Sequence, residues 1–349
     1  MSEERVDRRV RWGIMGAANI ALKNVRAISL APNSEIVAIA SRSITKASDF
    51  LDKAPVSDVN KARVQLHGSY EALLADKNVD AVYLPLPTST HIIWAVKAAD
   101  AGKHILLEKP CALSNVELLA IIEACRRNSV VFMDGVMYMH HERLTKIRKC
   151  LSDPLFGIIK RVSSSFSFNS GDSFLKDNIR ANAALDSLGA LGDLGWYQIR
   201  LGIIAMNYGA EFQVADSSGS LQINSVPISC RATCGQYSPG GVPMECEGVV
   251  TFRNPKSTTG NSNSTLHFDC SFVLPFRQNF EVLAIGRNSS CGDKIMRCDD
   301  FVIPRNPSQV TFDMETLHPS GSLVGACLDR SLYYCIIHFH VTHPNTVPP

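Results

Sequence analysis

The strongest constraint on this chain is the rhythm of its first third, where short apolar runs of strand length alternate with helix-length segments six times between residues 10 and 133. Residues 10–14 form the first run and lead into a glycine turn. Ile20, Ala21, Val25 and Ile28 then fall on one helical face, which Pro32-Asn33 stops. Residues 35–40 (EIVAIA) are strand-like, 44–53 helical, 64–66 a brief strand, 70–74 a helical turn or two, and 81–84 (AVYL) a buried strand. Residues 91–101 read as a helix closed by Gly102, and 104–107 (HILL) as a fifth strand. Ser114 caps a helix over 116–128 with Glu117 in the capping-box position, and 130–133 is the sixth strand. Apolar strands joined by helical crossovers pair in parallel and need helices on both faces, so this region is expected to be a doubly wound α/β sheet of Rossmann type.

Beyond about residue 155 the pattern changes. Residues 158–168 are strand-like, 188–208 contain one long helix, and 229–237, 247–253, 264–274, 280–285 and 301–303 are strand candidates separated by Gly, Pro, Asn and Ser. This half is expected to be an α+β domain with a large open, mostly antiparallel sheet. The division follows: a flexible tail over 1–9, a doubly wound α/β domain over 10–135, an α+β domain over 136–325, and an atypical tail over 326–349. The 349 residues, 45% apolar and 19% charged, suit two folded domains and exclude a disordered chain. A net charge of +2 gives no reason for a nucleic-acid partner or an acidic membrane surface. The apolar runs fall well short of the roughly 20 residues that span a bilayer, and residues 1–11 lack the apolar core of a secretory signal. Eleven cysteines without a C-x-x-C are expected to be free thiols in a reducing compartment, which makes the chain cytoplasmic, with no metal site.

The turn after the first run reads Gly13-Ile14-Met15-Gly16-Ala17-Ala18-Asn19-Ile20-Ala21. Gly16 can make the tight turn of a dinucleotide fingerprint, and Ala21 can be the small residue where helix meets strand. Ala18 stands where a second glycine is usual, so the strict motif is broken by one methyl. The amides at Asn19 and Ile20 would still meet a pyrophosphate at a positive helix end. An ordinary strand-to-helix turn is the competing reading; the place at the head of a βαβ unit favours the cofactor. At the end of the second strand, Ser41-Arg42 offers no carboxylate for ribose hydroxyls. The arginine fork matches a phosphate, which favours NADP over NAD, against the plainer reading of a solvated arginine.

Two further segments carry a family likeness. One is Pro87-Thr88-Ser89-Thr90-His91, followed by Ala-Gly-Lys-His at 101–104 and by Glu108-Lys109-Pro110; the other is Gly189-Ala190-Leu191-Gly192-Asp193-Leu194-Gly195-Trp196-Tyr197. With the Gly16 turn they resemble the glucose–fructose oxidoreductase / inositol dehydrogenase / MocA family over roughly residues 10–315. Residues 12–21 (WGIMGAANIA) and 193–197 (DLGWY) are similar to its dimeric dihydrodiol dehydrogenase / NADP-dependent D-xylose dehydrogenase branch. The resemblance implies that Lys109 is the catalytic lysine, that Glu108 lies by the nicotinamide, and that Pro110 follows a bend, often cis. It implies that Leu86, Pro87, Thr88 and His91 line the cofactor and that Asp193 and Tyr197 reach the substrate, with Tyr197 as acid/base. It also implies a homodimer through the open C-terminal sheet. The expected activity is hydride transfer between a CH–OH of a sugar or cyclic diol and NADP. The alternative is a catalytically weak or inactive dinucleotide-binding regulatory protein of the same fold.

The chemistry can be argued from the residues. Tyrosine titrates near 10 in water, and a lysine ammonium close by favours the phenolate. Lys109 can also bond the reacting oxygen as it becomes an alkoxide. General acid–base help of this type contributes about 10² to 10⁴ in rate. Asp193 and Tyr197, four apart, share a helical face, or Asp193 caps the helix. Each residue also has an ordinary reading: Lys109 as a surface lysine at a strand end, Tyr197 as a core aromatic, His91 as a structural cap, and Trp196 as packing rather than substrate stacking. Candidates for substrate choice are Asn178 and Arg180 in the loop over 171–186, and the segment from Tyr138 to His140.

The C-terminus departs from the family pattern. Residues 325–344 (GACLDRSLYYCIIHFHVTHP) hold no amphipathic helix, and 332–341 are strand-like and aggregation-prone. A missing closing helix, as in a truncated or alternatively spliced product, is the expectation. His338 and His340 are set aside as a metal pair.

Overall fold

The computed structural model describes residues 9–207, 227–253, 263–286, 292–303, 313–317 and 323–324. The expectations for the two tails, for Tyr208, and for His338 and His340 lie outside them. The described residues divide after Val136 into two compact units.

The first unit runs β1 (Val10–Met15), α1 (Asn19–Leu30), β2 (Ser34–Ala40), α2 (Ile44–Lys53), α3 (Asp58–Lys61), β3 (Gln65–His67), α4 (Tyr70–Ala75), β4 (Ala81–Leu84), α5 (His91–Asp100), β5 (His104–Leu107), α6 (Asn115–Arg127) and β6 (Phe132–Asp134). Six parallel strands form one sheet in the order β3-β2-β1-β4-β5-β6, so the chain switches direction across the sheet between β1 and β4. In such a sheet ligands bind beyond the carboxyl ends of the strands at that switch. The rhythm follows from burial: all four residues of β4 are buried, and Ile14, Val25, Ile28, Ile39 and Tyr83 are completely so. Each such side chain contributes about 1.5–3 kcal/mol. Ser43, Ser69 and Ser114 cap α2, α4 and α6 through their hydroxyls. At α6 the capping box slips by one residue, because Glu117 accepts from the Leu113 amide. Gly102 ends α5 at φ +71°, with its amide on the Ala99 carbonyl.

The second unit runs α7 (Glu142–Ser152), β7 (Ile158–Ser167), α8 (Gly171–Asp177), a π-helical turn (Leu191–Gly195), α9 (Trp196–Asn207), β8 (Pro227–Tyr237), β9 (Pro243–Arg253), β10 (Asn263–Ser271), β11 (Arg277–Ile285), β12 (Asp293–Asp299), β13 (Asp313–Leu317) and β14 (Leu323–Val324). Its eight-stranded sheet has the order β14-β13-β12-β11-β7-β10-β9-β8, and β7 with β10 is its one parallel pair among the described residues. Register sorts the faces. Arg231, Val249, His267, Ser163, Glu281 and Arg297 stand in one row, whereas the alternate row Cys230, Val250, Leu266, Val162, Val282 and Met296 is largely buried. Helix α9 lies on the apolar face. A Cβ on Gly202 would come within 2.5 Å of Leu266, and Gln198 donates to the carbonyls of Ser164 and Asp269 across the parallel pair.

The sequence reading of 301–303 as a strand is corrected. The strand is β12, whose charges alternate with the inward Met296 and Cys298. Asp300 then turns at φ +57°, and Phe301 and Val302 tuck under the sheet as buried core. The apolar run marks burial rather than pairing.

Candidate active site

The β1–α1 turn is built for a close approach of backbone to a ligand. Gly16 has φ +128°, its amide donates to the Ala40 carbonyl at 2.9 Å, and a Cβ there would lie 2.8 Å from Leu86. Ala18 occupies the N-cap of α1 without a side-chain bond, and no acidic residue stands in the first turn. The leading amides of α1 are therefore left to a ligand or solvent, as a pyrophosphate requires. The methyl of Ala18 is half-buried and Asn19 and Ile20 are exposed.

At the end of β2, Ser41 is buried, with its amide on the His67 carbonyl, and Arg42 is exposed. Burial pushes the Tyr70 phenol up, and the positive charge of Arg42 opposes that shift, which places the guanidinium near Tyr70. Tyr70 stands edge-on to Trp94 at 4.9 Å, and Lys97 lies 4.4 Å over the Trp94 ring.

The segments after β4 and β5 are clamped by one imidazole. His91 is 1% exposed; Nε2 lies 2.8 Å from the Leu86 carbonyl, and Nδ1 lies 3.0 Å and 3.3 Å from those of Pro110 and Cys111. Burial pushes its pKa down, against the pull of these carbonyls. Both ring nitrogens serve backbone, so His91 acts by holding Leu86 and the Lys109-Pro110 bend together. Pro87 precedes a short 3-10 turn, Thr88 is buried, and the Lys109–Pro110 peptide is cis.

Glu108 is held by two residues that sequence reasoning missed. The Tyr83 hydroxyl donates to Oε1 at 2.6 Å, the Asn24 amide donates to that hydroxyl at 2.6 Å, and the Lys109 amide approaches Oε2 at 3.3 Å. A tyrosine inside an apolar strand needs a partner for its hydroxyl, and that was the available signal. Gly135 lies against the same segment: a Cβ there would come 3.4 Å from the Glu108 side chain.

In the second unit the loop before the π turn is a chain of local caps. The side chains of Asn178, Asn182 and Asp186 accept from the amides of Arg180, Ala184 and Leu188, and the Ser238 hydroxyl donates to the Ala181 carbonyl. This holds Arg180, whose Nε lies 2.9 Å from Asp193 Oδ1. Burial lowers the Arg180 pKa, but the negative charges of Asp193 and Asp186 and the phenol of Tyr197 outweigh it, for a net rise. Of the two roles open to Asp193 in the sequence, capping does not occur: Ala190 is the N-cap, and Asp193 stands inside the turn, 8% exposed. Tyr197 is 6% exposed, with ring centroids of Tyr138 and Phe166 at 5.9 and 6.0 Å, and the Tyr138 hydroxyl donates to its carbonyl. The indole N–H of the adjacent Trp196 is buried without a protein partner. Asn178 spends its carbonyl oxygen on capping.

Together these features define a dinucleotide-binding Rossmann unit followed by a second unit with an acid, a phenol and a guanidinium at one helix start. Among the described residues no group of three or more His, Cys, Asp or Glu side chains could hold a metal ion, and no helix is long and apolar enough to cross a membrane. The family profile described as "Oxidoreductase family, NAD-binding Rossmann fold" (GFO_IDH_MocA) matches residues 10–136. A D-xylose 1-dehydrogenase (NADP(+)) of Haloferax volcanii is 37% identical over 271 residues, which are 78% of this chain and 72% of that one. A dTDP-3,4-didehydro-2,6-dideoxy-alpha-D-glucose 3-reductase of Streptomyces violaceoruber is 34% identical over 59% of this chain; the match spans only 57% of that enzyme's length. Trans-1,2-dihydrobenzene-1,2-diol dehydrogenase of Sus scrofa is 28% identical over 72% of each chain. A crystal structure of a point mutant of a 3-ketoreductase from Actinomadura kijaniata in complex with TDP-benzene and NADP superposes with a TM-score of 0.73 at 22% identity, covering 93% of this chain and 86% of that one, and it shows the shared fold. The chain belongs to the glucose–fructose oxidoreductase / inositol dehydrogenase / MocA family of oxidoreductases.

Proposed function

We propose that this chain is an NADP-dependent dehydrogenase acting on a CH–OH of a sugar or cyclic diol. The observation that carries the reading is the uncapped, acid-free start of α1 behind the positive-φ Gly16, with a cationic Arg42 rather than a carboxylate at the end of β2. Bound there, NADP supplies the hydride acceptor. The chain's own residues do the rest. The leading α1 amides receive the pyrophosphate, and Arg42 with Ser41 meets the 2′-phosphate. Leu86, Pro87, Thr88 and the Tyr83-oriented Glu108 shape the nicotinamide end. Lys109 bonds the substrate oxygen, and Tyr197 takes the hydroxyl proton. Asp193, charge-paired with Arg180, fixes the start of α9 beneath Tyr197. The named activities of the Haloferax and Sus scrofa relatives support the substrate class.

In this reading residues 10–135 bind cofactor and residues 136–325 bind substrate and make a homodimer. The polar face of the eight-stranded sheet, with a concavity lined by Ser163, Ser165, Arg231, His267, Asp269 and Arg277, supports the dimer.

The test follows the absorbance of the reduced nicotinamide with NADP and a panel of aldoses and cyclic diols. Turnover that Lys109→Met abolishes while cofactor binding persists supports the reading; cofactor binding without turnover on any substrate supports the regulatory alternative.

A further inference from the structure

The proposed reaction leaves a row of three thiols unused. Register places Cys234 on β8, Cys246 on β9 and Cys270 on β10 side by side. The Cys234 and Cys246 sulfurs are 2.8 Å apart, and Cys246 also shares a hydrogen bond with Cys270. Cys246 and Cys270 are fully buried and Cys234 is half-buried. Among the described residues β8 is the edge strand, paired with β9 alone, and Cys234 is its one residue that is not exposed. The row ends beneath the π turn that carries Asp193: a Cβ on Gly195 would lie 3.5 Å from the Cys270 sulfur.

We propose that Cys234 and Cys246 are a reversible disulfide site, oxidised by a small-molecule disulfide such as glutathione disulfide, that staples the edge strand β8 to β9. The Cys234 thiolate attacks one sulfur of the oxidant and releases one glutathione thiol. The Cys246 thiolate then attacks the Cys234 sulfur of the mixed disulfide and releases the second. The two protons lost by the cysteines end on the two glutathione thiolates displaced, and two electrons pass from the cysteine pair to the oxidant. The sulfurs close from 2.8 Å to a bond of about 2.05 Å.

The surroundings set the rate. Burial and the hydrogen bond with Cys246 push the Cys234 thiol up to about 11, against the Tyr237 hydroxyl on the same strand. Cys246 is pushed further, first by its hydrogen bond with Cys270 and then by burial, with Glu245 adding to the rise. Thiolate is the nucleophile, so closure is slow at neutral pH and accelerates by up to about tenfold per pH unit.

The experiment treats the full chain with glutathione disulfide at pH 7, 8 and 9, alkylates the remaining thiols, and maps non-reduced peptides by mass. The expected result is a linked pair of peptides holding Cys234 and Cys246, formed faster at higher pH and reversed by dithiothreitol. The conservative variant Cys234→Ser removes that link and leaves the fold intact by circular dichroism. Full alkylation of Cys234 after long oxidation, a persistent glutathione adduct on it, or a link from Cys246 to another cysteine would overturn the proposal.

Discussion

Arg180 Nε lies 2.9 Å from Asp193 Oδ1, and the pair joins a loop of Asx caps to the turn that starts α9. Asp193 is nearly buried while Arg180 keeps about a third of its side-chain exposure, so the guanidinium carries solvent contact for both. The Arg180 cation offsets the cost of burying the Asp193 carboxylate next to Tyr197.

Removing the cation should therefore be costly. Arg180→Met is expected to lower unfolding free energy by about 1–3 kcal/mol, because it removes the cation paired with a nearly buried carboxylate. Arg180→Lys should recover part of the loss, since a point charge replaces a fork. Urea unfolding of the three proteins checks this; equal stability of Arg180→Met and the parent would show that Asp193 does not depend on the pair.

Tyr83→Phe deletes a hydroxyl that donates to Glu108 at 2.6 Å and accepts from Asn24. Hydrogen bonds to charged groups contribute about 1.5–3 kcal/mol, and a loss in that range is expected. NADP affinity should weaken as well, because Glu108 loses its orienting partner. Unfolding and cofactor titration read the two effects separately, and an unchanged cofactor Kd would remove Tyr83 from the proposed nicotinamide end.

Gly16→Ala places a Cβ at φ +128°, 2.8 Å from Leu86. A destabilisation above about 1 kcal/mol is expected from backbone strain. A several-fold weaker NADP Kd should accompany it, as the turn retreats from the pyrophosphate. Thermal melts with and without NADP give both numbers; a cofactor-induced stabilisation equal to the parent's would place the pyrophosphate elsewhere.

Arg42→Ala should weaken NADP far more than NAD, because only NADP carries a phosphate at that ribose. Equal loss for both cofactors would take Arg42 out of the phosphate contact.

Acid should loosen the first unit through His91. Burial holds its folded pKa below the unfolded value of about 6.5. The unfolded state then binds the proton first as pH falls, so stability is flat above about pH 6.5 and declines below it. Burial lowers His104 of the same unit as well, and it adds to the same slope. His91→Gln should flatten the decline by one titrating group between pH 7 and 5, as read by urea midpoints. An unchanged slope would mean that His91 binds its proton equally in the folded and unfolded states.

Much of the fold was legible because it rests on local chemistry. The apolar periods of β1 to β6, the serine caps and the Gly102 stop each act within a few residues, so their spacing survives in the one-dimensional string. The second unit was harder. β12 carries four charges in seven residues and is a strand because β11 pairs with it, whereas 301–303 has the apolar composition of a strand and none of its pairing. The π-helical turn at Leu191–Gly195 has no period that distinguishes it from an α-helix.

The sequence by itself determined the parallel dinucleotide-binding sheet, the turn at Gly16, and which residue types could carry proton and phosphate chemistry. These follow from side-chain volume, charge and backbone freedom at short range. Only the tertiary structure decided what those residues touch: His91 on the carbonyls of Leu86, Pro110 and Cys111, Glu108 under Tyr83, Asp193 on Arg180, and three cysteines in one row. Apart from His91 and Leu86, which are five positions apart, those pairs are 12 to 25 positions apart, and contacts at that separation form only after burial has brought the strands and helices together.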